Sequence, residues 1–423
     1  MTGTLSVRQA ALFVAVLACI AFLNSFGGQF VFDDIQEIAR NPWLETLIPP
    51  WQAMFVGNKL PARPLPYLSF AIDRAMWGVH PFGYHLTNLT IHVVAALALF
   101  DLVRLAVLSP RLGGRWADRA VPLAMVIAMI WAVHPLQTQT VTYIYQRIES
   151  LTGMFSLVAL AAFAEAAVRG WPRSWLLGSV AATAAAMASK ENAVVLPILI
   201  LAYDWFFVPA DPGPDTSRNW ARDVRRRGGY YLLLVATWGI LAGMLLVQAA
   251  RYQEFEELQH SPREYLYTQS EVLLHYLRLA ILPVGQRFDY GGWPVAKSFA
   301  DVWPAFLAVA VLVMVTAIGM FRRRPWAALG VLFFLSLAPT SSILPVEAVA
   351  NEHRMYVALA AVVAALVLAA TAGFDRYGGR FVTTPKAGES GSRGQRAAVV
   401  AAGLVILALV VATQFRNQLY ATS

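Results

Sequence analysis

Residues 271–283 read EVLLHYLRLAILP, and this stretch decides how the chain is threaded. The run is apolar enough to be taken for a membrane helix, yet it is short and carries Glu271, His275 and Arg278. If it crosses a membrane, the basic triplet Arg322, Arg323 and Arg324 lands outside. If it dips in and returns, the triplet joins the other basic loops. Short loops rich in Lys and Arg stay cytoplasmic. The segment 271–285 is therefore expected to be re-entrant or interfacial, and the longer runs around it to be the spans.

Eleven such runs lie outward from it, near residues 10–26, 84–106, 120–134, 150–168, 174–189, 192–208, 230–250, 301–321, 326–344, 355–373 and 397–414. A span needs about 20 mostly apolar residues. The loops between them sort by charge. One side collects Arg8, Arg104, Arg111, Arg115, Arg119, Arg169, Arg173, Arg218, Arg222 and the arginines of 225–227. It also takes the 322–324 triplet, Arg376, Arg380, Lys386, Arg393 and Arg396. These are 20 of the 33 basic residues, and their side is expected to be cytoplasmic. The N-terminus is then inside and the C-terminus outside. Residues 10–26 lack a convincing cleavage site and read as a retained first helix. Residues 375–396, rich in Gly, Ser, Lys and Arg, read as a flexible cytoplasmic linker.

Composition agrees. The 423 residues are 58% hydrophobic and 14% charged, with a mean hydropathy of +0.54, against roughly 25% charged residues in a soluble domain. So little charge cannot cover a polar surface, and the exterior must face lipid. The chain is expected to be one all-α polytopic membrane domain spanning 1–423. The net charge of +8 follows from loop arginines that set topology, so no nucleic-acid partner is implied. A single cysteine, Cys19, rules out a disulfide within the chain.

The opposite side receives the unusual segments. These are a long aromatic loop at 27–83, the segment 134–150, residues 189–192, a second loop at 251–300 and residues 345–356. Trp, Tyr and Phe in such loops suit helices lying at headgroup level. Asp33-Asp34 stands out. Adjacent carboxylates in apolar surroundings repel, which raises the pKa of at least one, and such a group can serve as general base toward a hydroxyl. An exposed loop pair or a helix cap would look the same in sequence. Arg147, Lys190 and Arg354 each sit at the outer end of a run, where a cation must be paired or used. Arg suits bidentate phosphate binding and Lys acts as a point charge; salt-bridged residues reaching to the interface are the plainer alternative. His85, Asn88 and His92 share one helix face, and His134 opens the next segment. Two histidines with distant carboxylates are a weak metal signal, and hydrogen-bonded structural histidines fit better. Asp204 reads as structural.

With these residues assembled, the chain resembles the transmembrane O-mannosyltransferase-like proteins of the GT-C superfamily of lipid-dependent glycosyltransferases, a group that usually carries tetratricopeptide repeats after the membrane part. The resemblance rests on six ordered blocks: FVFDDIQEIARNPWL (30–44), RPLPYLSFAIDRAMWGVHPFGYHLTNLTIH (63–92), HPLQTQTVTYIYQRIESL (134–151), SKENAVVLPILILAYDWFF (189–207), TQSEVLLHYLRLAILPVGQRFDY (268–290) and NEHRMY (351–356). Two features depart from the family: no repeat region is expected in this chain, and Gln139 stands where members often read Glu.

The resemblance implies a GT-C-type bundle of about eleven transmembrane helices with amphipathic and re-entrant helices on the outer face. It implies transfer of a monosaccharide, mannose or a similar hexose, from a polyprenyl phosphate to a hydroxyl acceptor, with inversion. The acceptor is a protein Ser or Thr, or alternatively a lipid or cell-surface glycan. Asp33 is implied as base, with Asp34 orienting the acceptor or sharing the role. Arg147, Lys190 and Arg354 would hold the donor phosphate. Arg63, His85, His134, Gln146, Glu149, Glu191, Asp289 and Glu352 would bind substrate or support the site. No cofactor is required; a divalent metal is compatible with these residues but not indicated by them. A lipid-linked-sugar transporter should instead carry charges at the midplane, whereas these lie at span ends. Short loops and an Ala- and Arg-rich composition point to a bacterial inner membrane with a periplasmic site.

Overall fold

A computed structural model describes residues 5–56, 63–209, 220–251, 260–346, 348–377 and 393–420, all-helical throughout the described residues. In chain order the α-helices are α1 Val7–Phe22, α2 Pro64–Trp77, α3 Pro81–Leu108, α4 Ala120–Ala132, α5 Thr138–Val141, α6 Arg147–Val168, α7 Arg173–Met187 and α8 Leu196–Phe207. They continue as α9 Trp220–Arg226, α10 Gly228–Ala236, α11 Trp238–Arg251, α12 Pro262–Ile281, α13 Phe299–Phe321, α14 Ala327–Leu337, α15 Met355–Tyr377 and α16 Arg393–Asn417.

Each of the eleven apolar runs contains a helix, that at 326–344 only over Ala327–Leu337. Seven described helical segments are long and apolar enough to cross a membrane: Val7–Gly27, Pro81–Leu108, Ile144–Val168, Gly228–Val247, Phe299–Phe321, Glu352–Arg376 and Arg396–Tyr420. An eighth is added if Ala117–Ala132 and Pro135–Val141, bent by 53°, count as one. The chain is thus an integral membrane protein. The remaining runs, at α7, α8 and α14, give helices of 15, 12 and 11 residues.

Local chemistry sets the ends. Ser6 and Gln9 form a capping box on α1. Ser261 and Glu264 do the same on α12, with Pro262 in its first turn. That cap starts α12 well before the apolar run at 271, so its first half is polar and the helix does not qualify as a span. The linker reading at 375–396 falls mainly on 378–392, which lie outside the described residues. Its flanks continue α15 to Tyr377 and begin α16 at Arg393.

The core is where α3, α4, α6 and α15 meet. His92 of α3 binds the Tyr356 hydroxyl and the Ala132 carbonyl, both at 2.9 Å, and Trp131 Nε1 donates to the Tyr356 carbonyl at 2.8 Å. Gly153 lets α6 approach this group: a Cβ there would sit 2.3 Å from the Tyr356 ring.

The polar residues gather at two opposite ends of this bundle. At one, Arg104 pairs with Asp101 at 2.5 Å and Glu165 at 3.1 Å, Arg119 with Asp375 at 2.7 Å and Arg227 with Asp204 at 2.7 Å. At the other, Asn88 donates to the Val141 carbonyl and Lys190 pairs with Glu149. Asn88 and Arg104 lie on the same helix, about 25 Å apart at 1.5 Å per residue. The second end carries the five segments singled out in the sequence.

Candidate active site

The acidic pair is split by the backbone. Phe32 has φ +47°, a conformation unfavourable for a bulky residue, and its ring packs on Phe288 at 4.6 Å. The turn sends the two carboxylates in different directions. Asp34 is fully buried, its Oδ2 accepting from the Val31 N–H at 3.0 Å and its Oδ1 from the Tyr145 N–H at 2.7 Å. Burial pushes its carboxyl up to about 8, with the Asp33 charge a lesser contribution in the same direction. Asp33 is the exposed member. Its Oδ2 accepts from the Tyr143 hydroxyl at 2.7 Å. Burial, and then the nearby aspartate charges, raise the Tyr143 phenol, so it stays a donor.

A basic cluster lies behind Tyr145. The Tyr145 hydroxyl interacts with the Tyr67 hydroxyl and feels the Arg63 charge, and Tyr67 donates to Glu37 at 2.7 Å. Arg63 pairs with Glu191 at 3.2 Å. Lys190 pairs with Glu149 at 2.7 Å, and Asn192 donates to the same carboxylate at 3.0 Å. Arg354 is buried and meets no carboxylate among the described residues. Its guanidinium donates to the carbonyls of Thr340 and Val349, each at 3.1 Å, and of Ala348 at 2.5 Å. The charges of Lys190, Arg354 and Arg63 all bear on the His353 ring. Arg63 Nε, Asn192 Oδ1 and His353 Nδ1 are buried without a partner among the described residues. A cation-rich site with an unanswered guanidinium donor and further unpartnered polar atoms is built to receive an anion that carries other polar groups.

Arg147 lies apart from this cluster and meets its own carboxylate instead. It is fully buried, pairs with Asp73 at 2.6 Å and donates to Asn88, Ser69 and the Tyr84 carbonyl. Its guanidinium also lies over the Phe70 ring at 4.7 Å. Two residues on, Glu149 points to the opposite face of the helix and meets Lys190, because successive residues turn by about 100°. Arg147 therefore ties α2 to α3 and α6. His134 binds the Ala280 carbonyl at 3.2 Å and the Leu136 N–H at 3.2 Å. His85 is buried against Gly28. Gln146 sits at the start of α6 with no capping bond. Asp289 is exposed and accepts from the Gly291 N–H at 2.9 Å. Among the described residues no group of three His, Cys, Asp or Glu side chains could hold a metal ion.

Glu352 is a buried junction. It accepts from Arg416 at 2.5 Å, Tyr290 at 2.7 Å, the Arg287 N–H at 2.8 Å and Gln286 at 3.2 Å. Gln139 bridges from the Phe288 carbonyl (2.8 Å) to the His353 N–H (2.7 Å), linking the loop that packs on Phe32 to the basic cluster. Sequence reasoning passed over Tyr143, Tyr145 and Arg416. The signal for Arg416 was an arginine at the outer end of the last run, where positive-inside sorting does not put one.

No family model matches the chain. It is 30% identical over 214 residues to human Protein O-mannosyl-transferase TMTC4, covering 46% of this chain and 29% of that protein. It is 28% identical over 214 residues to Protein O-mannosyl-transferase tmtc2 of Xenopus laevis, covering 47% and 24%. The chain thus spans less than a third of the length of the curated relatives it matches. An oligosaccharyltransferase from Archaeoglobus fulgidus, crystallised with a tethered acceptor peptide, superposes with a TM-score of 0.52 over 98% of this chain and 55% of that one, at 14% identity. The chain is thus similar to transmembrane O-mannosyltransferases over nearly half its length, and it shares the helical membrane fold of that oligosaccharyltransferase.

Proposed function

We propose that this chain, similar to protein O-mannosyltransferases over nearly half its length and built on the GT-C bundle, is a glycosyltransferase that uses a polyprenyl-phosphate sugar. It moves a hexose, mannose or similar, to a hydroxyl acceptor, a protein Ser or Thr, on the periplasmic side of a bacterial inner membrane. The observation that carries this reading is the exposed carboxylate of Asp33, held by the Tyr143 hydroxyl at the same end of the bundle as the buried cations Arg63, Lys190 and Arg354.

The chemistry follows from that pairing. The acceptor oxygen attacks the anomeric carbon and passes its proton to the Asp33 carboxylate. The bond from that carbon to the phosphate oxygen breaks, and its electron pair leaves with the polyprenyl phosphate. Negative charge grows on the leaving phosphate, where Lys190, Arg354 and Arg63 stabilise it more as the bond lengthens. Attack opposite the phosphate inverts the anomeric centre. Asp34, tied down by two backbone N–H groups, positions Asp33 rather than meeting substrate. Arg147 has no part in phosphate binding.

The test is transfer of labelled mannose from a synthetic polyprenyl phosphate by the purified protein, with mass spectrometry of proteins and glycans from cells with and without the gene. Hexose on Ser or Thr that depends on the gene is the expected result. Gene-dependent change confined to lipids or glycans would replace the protein acceptor, and no sugar transfer with any acceptor would refute the transferase reading.

A further inference from the structure

A cavity of about 360 Å3 opens where α12 ends, lined by His275, Arg278, Arg287, Tyr290 and Trp293. Among the described residues no carboxylate lines it. Gly285, at φ +77°, turns the chain after α12 so that Arg287 comes back toward Arg278; a Cβ there would lie 3.7 Å from Arg278 Nη2. Both arginines are exposed, and neither side chain hydrogen-bonds or ion-pairs with a described residue. This sets them apart from Arg147, Arg354 and Arg416, whose guanidinia are engaged inside the protein.

The cavity wall is rigid. His275, Tyr290 and Trp293 pack ring to ring at 5.1 to 5.8 Å. The Tyr290 hydroxyl donates to buried Glu352, which leaves it to accept from His275 Nε2 at 3.1 Å. At the rim, Ile281, Leu282 and Val284 are 62%, 57% and 61% exposed. Two unpaired guanidinia on a fixed aromatic wall suit a phosphate, which arginine grips in bidentate fashion. An exposed apolar rim beside them suits the chains of a lipid rather than a free ion.

We propose that this cavity binds the phosphate of an anionic membrane lipid, gripped by Arg278 and Arg287, with its chains lying on Ile281, Leu282 and Val284. The site holds α12 at the membrane surface and is distinct from the basic cluster at Lys190. It does not depend on the transferase reading, because a bilayer lipid is not a substrate of that reaction.

Native mass spectrometry of the purified full chain released from detergent tests it, with phosphatidylglycerol, phosphatidylcholine or inorganic phosphate added separately. Wild type should retain phosphatidylglycerol in preference to the other two. Arg278→Gln and Arg287→Gln should each lower its affinity about tenfold, as loss of one charge-assisted contact does. Asp33→Asn should retain lipid as wild type does. Should the Gln variants fail to fold, Arg278→Lys and Arg287→Lys, which keep the charge but lose the fork, should show a smaller graded loss. Equal retention of phosphatidylglycerol by all variants overturns the site. Inorganic phosphate held as tightly as the lipid overturns the lipid assignment.

Discussion

The Tyr143 hydroxyl donates to Asp33 Oδ2 at 2.7 Å and accepts from the Asp33 backbone N–H at 3.1 Å, so one tyrosine fixes both the carboxylate and the chain that bears it. The residue before it, Phe32, holds φ +47°. Backbone strain of this kind persists only where the surroundings impose it. Here Tyr143 and Phe288 impose it, and the result is one aspartate facing out and one facing in.

Asp33→Asn should lower sugar transfer by roughly 10²–10⁴-fold, the contribution of a positioned acid–base group. Donor binding should stay close to wild type, since the amide keeps the size and one acceptor oxygen. Tyr143→Phe should lower turnover less, roughly tenfold, because the carboxylate remains but its orientation is freed. Steady-state transfer by detergent-solubilised variants checks both. Wild-type rates in Asp33→Asn and Asp34→Asn together would place the base elsewhere.

Asp34 makes stability depend on pH. Its carboxyl lies at about 8 in the folded protein, against 3.8 as its ordinary value. The folded state therefore holds the extra proton between those limits, and stability falls as pH rises. The stabilisation is complete below about 3.8 and lost as pH climbs through about 8. Thermal unfolding in detergent should show a melting temperature that declines from pH 5 to pH 9. Asp34→Asn should flatten that decline; an unchanged slope would assign it to other groups.

Arg147→Ala should unfold the chain rather than weaken donor binding. It strands Asp73, which is 3% exposed, without its cation. Breaking a buried pair from one side costs about 3–5 kcal/mol. Arg147→Met with Asp73→Asn should recover much of the melting temperature. A folded Arg147→Ala protein with only a raised donor KM would return Arg147 to the phosphate site.

Lys190→Met should weaken donor binding roughly tenfold or more, the loss of one charged hydrogen bond, while Lys190→Arg should keep most of it. Asn192 remains on Glu149 at 3.0 Å and limits the structural damage. Binding of a radiolabelled polyprenyl phosphate sugar reads this directly. Donor affinity equal to wild type in Lys190→Met would remove it from the phosphate site.

Asp289 is exposed at the turn after α12, so Asp289→Cys should react with an impermeant thiol reagent. With exposed Cys19 replaced by Ser, labelling of intact spheroplasts should occur from the periplasmic side. Reaction only after the cytoplasmic face is opened would invert the topology argued from the 322–324 triplet.

The eleven helical stretches and the sorting of polar clusters to two ends were legible in the sequence, because hydropathy and loop charge are local properties that a bilayer enforces residue by residue. The six ordered blocks carried the resemblance to O-mannosyltransferases. They also marked the acidic pair, but not which carboxylate is exposed: that turns on one left-handed residue and on Tyr143, 110 positions away. The sequence likewise presents Arg147, Lys190 and Arg354 as equivalent cations at span ends. Only the tertiary structure separates them, because a buried charge takes its role from whatever packing brings beside it. Arg147 meets Asp73 across three helices, Lys190 meets Glu149, and Arg354 meets carbonyl oxygens alone. The same holds for Glu352 and Arg416, which lie at the ends of separate spans until the last helix folds back and closes the pair at 2.5 Å.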